Sequence, residues 1–365
     1  MAGSIYGKLF TVTTWGESHG KGLGVVIDGC PAGLSLSSED IQLYLNRRKP
    51  GQSRFTTPRK EDDAVDILSG VFEGKTTGTP ISLVVYNCNQ KSKDYSEIAA
   101  CYRPGHADYT FDAKYGFRDY RGGGRSSGRE TIGRVAAGAV AAKILKELGI
   151  NLTAYTKSIG DISISTLDLA EIANNALYMP DADAAAKASA YLDTCMQEHD
   201  SSGGVIECII DGMPAGIGEP VFDKLDADLA KAIFSIGAVK GFEIGDGFLT
   251  SFAKGSENND AFFYDENGNV CKKTNHAGGI LGGMSDGAPI VLRAAVKPTP
   301  SIFKAQQTVN RSGENITLEI KGRHDPVIVP RAVVVVESMA ALVLVDALME
   351  NMSSRLEHMI EFYNS

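Results

Sequence analysis

The chain has 365 residues, 43% of them hydrophobic and 22% charged, with a formal net charge of −9. That apolar content excludes a disordered chain, and the acidic total argues against a protein that coats nucleic acid. The length exceeds that at which a single core stops growing, so the chain forms either one large domain of two fused halves or two domains.

The N-terminal residues lack a basic segment followed by an apolar one, and no run of 18 apolar residues occurs, so neither a signal peptide nor a membrane span is expected and the expected location is the cytoplasm. Residues 25–27 and 81–85 are short β-branched runs between turn residues and read as strands. Ser37-Ser-Glu-Asp-Ile41 reads as a helix start, with Pro50 closing that helix after a basic end. The clearest helical pattern covers 130–148, where Ile132, Val135, Ala136, Ala139, Val140, Ile144 and Leu148 form one apolar stripe and Gly149 suits the stop. Further helices are expected over 167–177, 182–197, 223–236 and about 338–362. The acidic, Asn-rich stretches 256–260 and 265–269 read as a surface excursion or mobile loop. Together these elements predict an α+β fold with helices packed between or against antiparallel sheets. Six scattered cysteines (30, 88, 101, 195, 208 and 271) contain no Cys-x-x-Cys pair, which predicts free thiols and no zinc site or other metal site.

One stretch occurs twice. Residues 17–34 and 200–217 share eight identities in 18 positions, including Asp28-Gly-Cys-Pro-Ala-Gly33 and Asp211-Gly-Met-Pro-Ala-Gly216. Gly78-Thr-Pro-Ile-Ser-Leu83 is echoed in the same order by Gly287-Ala-Pro-Ile-Val-Leu292. A shared turn motif explains part of this, but the order and spacing point to duplicated halves of about 1–160 and 161–365. The copies differ at one informative position: the first carries His19 where the second carries Ser202. An imidazole changes charge near neutral pH and a hydroxyl does not, so an asymmetric site on a pseudo-symmetric frame is expected.

The acidic chain concentrates base in two places. Residues 47–60 carry six basic residues and no acid, and Arg103, Arg118, Arg121, Arg125, Arg129 and Arg134 form a second series. Such clusters suit a small polyanion, with phosphate first. Gly122-Gly-Gly-Arg-Ser-Ser-Gly-Arg-Glu130 stands directly before the clearest helix and combines bare backbone, hydroxyls and guanidinium groups at a helix N-terminus. Gly70-Val-Phe-Glu-Gly-Lys-Thr76 is one residue short of a nucleotide-binding Gly-x₄-Gly-Lys-Thr loop, and no Gly-x-Gly-x-x-Gly opens a helix after a strand. His19, His106 and the pair His324-Asp325 lie in Gly/Arg/Asp-rich loops, where acid–base groups tend to sit.

Gly16-Glu-Ser-His-Gly20 running into Asp28–Gly33, Gly124-Arg-Ser-Ser-Gly-Arg-Glu-Thr131, and Arg323-His-Asp-Pro326 through Glu337-Ser-Met339 resemble the three signatures of the chorismate synthase family. Arg47-Arg-Lys-Pro-Gly51, the stretch 238–248, Gly278-Gly-Ile-Leu-Gly-Gly283 and Lys297-Pro-Thr-Pro-Ser301 resemble its other characteristic segments. Gly128 stands where Ala is commoner, and Val333-Val-Val-Val336 where prolines often appear. The resemblance implies an anti-1,4-elimination of phosphate from 5-enolpyruvylshikimate 3-phosphate, giving chorismate, on an internally duplicated β-α-β sandwich in a homotetramer. It implies a flavoprotein of FMN/FAD chemistry that requires reduced FMN (FMNH2) without consuming it, with NADPH as an indirect reductant and an external flavin reductase as supplier. By similarity, Arg48 and Arg54 match substrate or NADP positions. Arg125, Ser126, Ser127, Gly237, Ala238, Gly282, Lys297, Pro298, Thr299, Pro300, Ser301 and Arg323 match flavin-contacting positions. His19 would manage protons on the reduced flavin, His106 would assist phosphate departure, and Asp325 would help the flavin take the C6 proton. Two other classes remain open from the residues themselves: a phosphotransferase acting on a small sugar-like acid, and a noncatalytic flavin- or RNA-binding protein.

Overall fold

The computed structural model describes residues 3–57, 61–87, 99–320 and 325–364; Arg59, Lys60, Cys88, Arg323 and His324 lie outside them. The first half holds β1 (Ile5–Tyr6), β2 (Thr11–Gly16), β3 (Gly22–Asp28), α1 (Ser38–Arg48), β4 (Val65–Ile67), β5 (Val71–Phe72), β6 (Lys75–Thr76), β7 (Ile81–Tyr86), α2 (Asp108–Tyr115) and α3 (Thr131–Glu147). The second holds β8 (Asn151–Ile159), β9 (Ile162–Ser163), α4 (Ala182–Gln197), β10 (Gly204–Asp211), α5 (Leu225–Phe234), β11 (Val239–Ile244) and α6 (Gly255–Asn258). It continues with β12 (Phe262–Tyr264), β13 (Val270–Lys272), β14 (Ile280–Leu281), β15 (Met284–Ser285), β16 (Ile290–Val296), β17 (Ala305–Val309), β18 (Asn315–Glu319), α7 (Val329–Asn351) and α8 (Leu356–Asn364).

Two five-stranded antiparallel sheets form, in the orders β1-β2-β3-β7-β4 and β11-β16-β10-β8-β9. Helix α3 lies on β2, β3 and β7, helix α7 lies on β8 and β10, and the two helices lie against each other. The apolar side of β16 shows why: Ile290, Leu292, Ala294 and Val296 are buried while the residues between them are half-buried, the two-residue period of a strand with one face on a core. The repeated segments fold alike. Ile27 stands opposite Ile81, and Ile210 opposite Ile290. Gly33 N–H donates to Thr76 O (2.8 Å), and the Thr76 hydroxyl donates to Pro31 O (2.6 Å). In the second half Gly216 N–H donates to Ser285 O (2.7 Å), and the Ser285 hydroxyl to Pro214 O (2.5 Å).

The start of α1 carries the expected capping box, Ser37 with Asp40, and α3 ends before Gly149 at φ +77°. Over 167–177 only a 3₁₀ helix, Leu169–Asn174, forms. There the Asn175 amide donates to Glu171 O (2.9 Å) and Met179 O (2.8 Å), bonds that compete with continuing the helix. The last helix starts nine residues earlier than the expected 338 and breaks in two. The run Val333–Val336 costs only a few tenths of a kcal/mol per residue in helix propensity, and burial outweighs that. Pro330 fits the first turn, where its missing N–H removes no bond. Helix α7 is long and apolar enough to cross a membrane, with a mean hydropathy of 2.2, yet 83% of that window is buried inside the protein. It is the core helix. The acidic stretch 256–269 is also more ordered than expected. The Asp260 side chain, though its residue is only half-buried, is covered and accepts bonds from Thr274 (2.6 Å), His276 N–H (2.8 Å), Ala277 N–H (3.0 Å) and the equally covered Lys272 ammonium (3.3 Å). Cys30, Cys101, Cys195 and Cys208 are buried and Cys271 is half-buried, and no two of these described cysteines pair with each other.

Helices α3 and α7 approach closely at Gly138 and Ser338: a Cβ at Gly138 would stand 2.2 Å from Ser338 Cβ. The Ser338 hydroxyl is buried without a hydrogen-bond partner among the described residues. Gly138→Ala should therefore lower stability by about 1 to 3 kcal/mol through overpacking, whereas Ser338→Ala should be neutral or stabilising by about 1 kcal/mol because it removes an unpaired polar group. Urea unfolding of both variants checks this; equal midpoints for Gly138→Ala and the parent would show that the helices can move apart freely.

Candidate active site

His19 is buried in the loop between β2 and β3. Its Nδ1 lies 3.1 Å from Ser18 Oγ, and the Ser18 hydroxyl reaches Arg121 O at 3.4 Å. A hydroxyl has one hydrogen, so both contacts are satisfied when Nδ1 carries a proton and donates it to Ser18. Gly122, at φ +65°, lies against the ring: a Cβ there would be 2.3 Å from His19 Cε1. Only glycine permits that approach. At the next residue, Gly123, a Cβ would stand 3.9 Å from the Arg103 guanidinium. Arg103 is buried and clamped on Asp108 through two side-chain bonds of 2.8 Å and its own N–H at 3.0 Å. Burial pushes the Asp108 carboxyl up, but Arg103, assisted by Arg118, outweighs burial and holds it below the usual carboxylate range.

That clamp sets the loop bearing His106, whose Nε2 lies 2.7 Å from the buried Ser301 Oγ. The two loops are clasped again where Lys297 Nζ donates to Gly105 O (2.8 Å). Lys297 N–H donates to Ala238 O (2.9 Å), and Ala238 itself adopts φ +74°, so Gly237-Ala238 joins the same corner. The Ser201 hydroxyl donates to Thr299 O (2.7 Å), and Ser202 N–H donates to Pro326 O (2.9 Å). Ser202, the counterpart of His19, thus touches the segment that carries Asp325.

Asp325 accepts from Thr57 N–H at Oδ1 and from Arg331 at Oδ2, both at 2.7 Å, and Arg331 Nε donates to Arg48 O (3.1 Å). Arg48 is buried and bonded to Asp63 (2.6 Å), which also accepts from Arg129 (2.9 Å). Burial pulls the Arg48 guanidinium below its ordinary pKa, opposed by Asp63. Asp63 sits at φ +48°. Arg48 also reaches Gly128 O at 3.4 Å, and from there the chain runs back through the Gly-rich loop to His19. The contacts close a ring around which the segments of His19, His106 and Asp325 are neighbours.

Other expected residues fall differently. Arg54 is 63% exposed and paired with Asp193 at 2.7 Å, whereas Arg48 is buried on Asp63. Arg125 turns onto β2, bonding Thr14 Oγ1 at 2.7 Å and Gly16 O at 3.2 Å. Ser126 donates to Gly123 O (2.7 Å), and Ser127 Oγ accepts from Arg129 N–H (3.3 Å). Gly282 lies in the β14–β15 turn beyond Ser285, which bonds the Pro214–Ile217 turn after the end of β10. Lys297 follows the strand that pairs with the start of β10, at Gly204. An eight-residue strand spans about 25 Å, so the structure does not bring Gly282 to the ring. Asp63 and Arg331 were not singled out by sequence, and Glu337, which binds Arg47 through bonds of 2.8 and 2.7 Å, was read only as the start of the signature's last stretch, with no role. Acids directly after a basic run, and a lone acid among valines, are the signals that mark Asp63 and Glu337.

Three buried polar atoms around the ring, Arg48 Nε, Thr57 Oγ1 and Thr299 Oγ1, have no hydrogen-bond partner among the described residues. Each costs about 1 to 3 kcal/mol while unpaired. With the bare backbone of Gly122 to Gly124 and the Lys297 ammonium, they fit a polar, anionic ligand such as a flavin phosphate and ring.

A family model described as chorismate synthase matches residues 10–349. Curated proteins named chorismate synthase from Agathobacter rectalis and Lachnoclostridium phytofermentans are 69% and 68% identical over 365 residues, covering 100% of this chain and 99% and 100% of their own. One from Gloeothece citriformis is 56% identical over 354 residues, 96% of this chain and 98% of its own. A solved structure titled as the crystal structure of chorismate synthase superposes with a TM-score of 0.76 at 31% identity, covering 98% of this chain and 97% of that one.

The Arg103–Asp108 clamp has a pH signature. A carboxyl held low in the folded chain contributes stability above its unfolded pKa of about 3.9 and loses it as pH falls through the lower folded value. Asp108→Ala should cost about 3 to 5 kcal/mol at pH 7, as for one partner lost from a buried pair. Urea midpoints should show that gap narrowing below about pH 4; a gap that is the same at pH 7 and in acid would mean that the pair's charge is not what holds the loop.

Proposed function

The chain belongs to the chorismate synthase family, carbon–oxygen lyases of the shikimate pathway, and eliminates phosphate from 5-enolpyruvylshikimate 3-phosphate to give chorismate; we propose that the ring of loops around His19, His106 and Asp325 is where it does so. The observation that carries this reading is the closed chain of contacts described above, which joins three acid–base groups from segments far apart in sequence. Reduced FMN, when bound, supplies the electron-rich partner that loss of phosphate and of an unactivated C–H hydrogen require, and is not consumed.

The residues that would hold it are Arg125, Ser126, Ser127, Gly237, Ala238 and Lys297 to Pro300, with Arg323, while Ser301 is left out because its hydroxyl is turned onto His106. Gly282 is left out of this set because its turn lies at the other end of the second sheet. His106 would protonate the departing phosphate, since a leaving group of that charge needs an acid or a cation. His19 would hold or release a proton at its ring, kept in one orientation by Ser18 and Gly122. Asp325, with both oxygens bonded, has a fixed carboxylate direction and would assist transfer of the C6 proton to the flavin. Arg48 is held by Asp63 and Arg54 by Asp193; NADPH as an indirect reductant and an external flavin reductase as supplier remain part of the proposal on the family's chemistry alone.

The matched turns and registers of the two halves support a duplicated β-α-β sandwich, with one sheet from each half and helices between. A homotetramer in the cytoplasm completes the proposal. The assembly is supported by the exposure of large aromatics in the second half, Phe222 at 89%, Phe248 at 76% and Phe252 at 85%, apolar surface of the kind that association covers. Light scattering should return four chain masses, and a single mass at working concentration would refute the assembly.

Under anaerobic conditions with dithionite, chorismate formed should greatly exceed the FMN supplied, and strictly oxidised FMN should give none. In the same assay His19→Ala, His106→Ala and Asp325→Asn should lower kcat by about 10² to 10⁴, while Ser202→Ala stays near the parent. Equal losses from Ser202→Ala and His19→Ala in folded proteins would show that the asymmetry between the halves is not catalytic.

A further inference from the structure

We propose that Ser301 is the positioning residue for His106: its hydroxyl aims the imidazole and follows its proton through the reaction. This rests on the reading that His106 is a catalytic acid. The 2.7 Å contact joins residues 195 apart in sequence, and the serine side of it is the rigid side. Ser301 is buried. The four residues before it are fixed at several points: Lys297 by its N–H to Ala238 O and its ammonium to Gly105 O, and Thr299 by the Ser201 hydroxyl. Pro298 closes on Gly203, where a Cβ would stand 3.1 Å from Pro298 Cδ, and Pro300 closes on Gly105, where a Cβ would stand 2.8 Å from Pro300 Cβ. Two prolines with φ set near −65° leave this strap little freedom.

His106 by contrast follows Gly105 at φ +71°, in a turn where its N–H reaches Arg103 O at 3.2 Å. A side chain on such a turn needs an external reference for its direction, and Ser301 provides one. The chemistry of the partner matters as much as its place. A carboxylate at that distance would favour the charged imidazolium, and a carbonyl would accept only when Nε2 carries hydrogen. A hydroxyl donates to a bare Nε2 and accepts from a protonated one by rotating about one bond. The contact therefore survives both states of an acid that must give up its proton and regain it in each turnover, and it favours neither strongly.

A cofactor contact at Ser301 predicts a different outcome from a positioning role, and steady-state kinetics with FMN titration in the holoenzyme separates them. Ser301→Ala should lower kcat by about 10- to 100-fold, the scale for a misdirected catalytic group, with FMN affinity within about twofold of the parent. Ser301→Thr should restore most of the rate. On a His106→Ala background, Ser301→Ala should cost little more, because the group it directs is gone. The proposal is overturned if Ser301→Ala keeps the parental kcat, if it weakens FMN binding while kcat at saturating FMN is unchanged, or if its loss multiplies with that of His106→Ala. Should Ser301→Ala fold poorly, Ser301→Cys, of nearly the same size with a weaker donor, should show the same partial loss and the same absence of multiplication. An unchanged rate in His106→Ala alone would instead remove the catalytic role of His106, a result distinct from any of these.

Discussion

Everything at the candidate site depends on how closely α3 and α7 approach. Each helix is the direct continuation of a functional loop: residues 122–130 run into α3 and residues 325–328 into α7. Because the two helices touch backbone to side chain at Gly138 and Ser338, the loops are placed by a core contact rather than by their own flexible links. Each helix also rests on its own sheet, so the contact fixes one half of the molecule against the other. Interiors are dense and do not deform gradually, and a shift at the crossing would be transmitted to both loops.

The charges around the ring follow a second rule. Arg47, Arg48 and Arg129 are each held by a buried carboxylate from another segment, and Arg103 by the buried Asp108 five residues on. A buried guanidinium without such a partner would be strongly unfavourable, so the acids are the condition on which the arginines can be interior. The surface pair Arg54–Asp193 belongs to another category, being solvated and worth at most about 1 kcal/mol. Basic residues that look alike as a run in sequence therefore separate into interior struts and solvated surface groups.

Much of this was legible before any coordinates. The strands at residues 25–27 and 81–85, the helices α1, α3, α4 and α5, and the repeat follow from local periodicity and turn chemistry, which act over a few residues. What sequence missed came from longer range. The Val333–Val336 run has a strand's composition and becomes helix only because α7 is buried on its neighbours. Asp260 reads as a solvated acid until its partners Lys272, Thr274, His276 and Ala277 close on it. The side-chain pairings of Arg48, Arg54 and Arg125 depend on which acid arrives from elsewhere in the chain, and a run of arginines says nothing of that. The placement of Gly282 apart from Lys297 likewise follows from strand length and direction, which no motif records.

Asp63 shows how tightly two independent demands can confine one position. Its backbone lies at φ +48°, a region that glycine, asparagine and aspartate enter readily and other residues enter at a cost. Its side chain must be an anion, since two guanidiniums meet there, and among the standard residues only aspartate and glutamate qualify. Aspartate meets both demands at the least cost; glutamate would keep the charge, and Glu73 at φ +49° shows that the chain tolerates it in that region, but it would have to place its carboxylate one bond further out. For a designer redrawing this chain, position 63 is confined to two letters, one of them strained, although no substrate or cofactor need ever touch it.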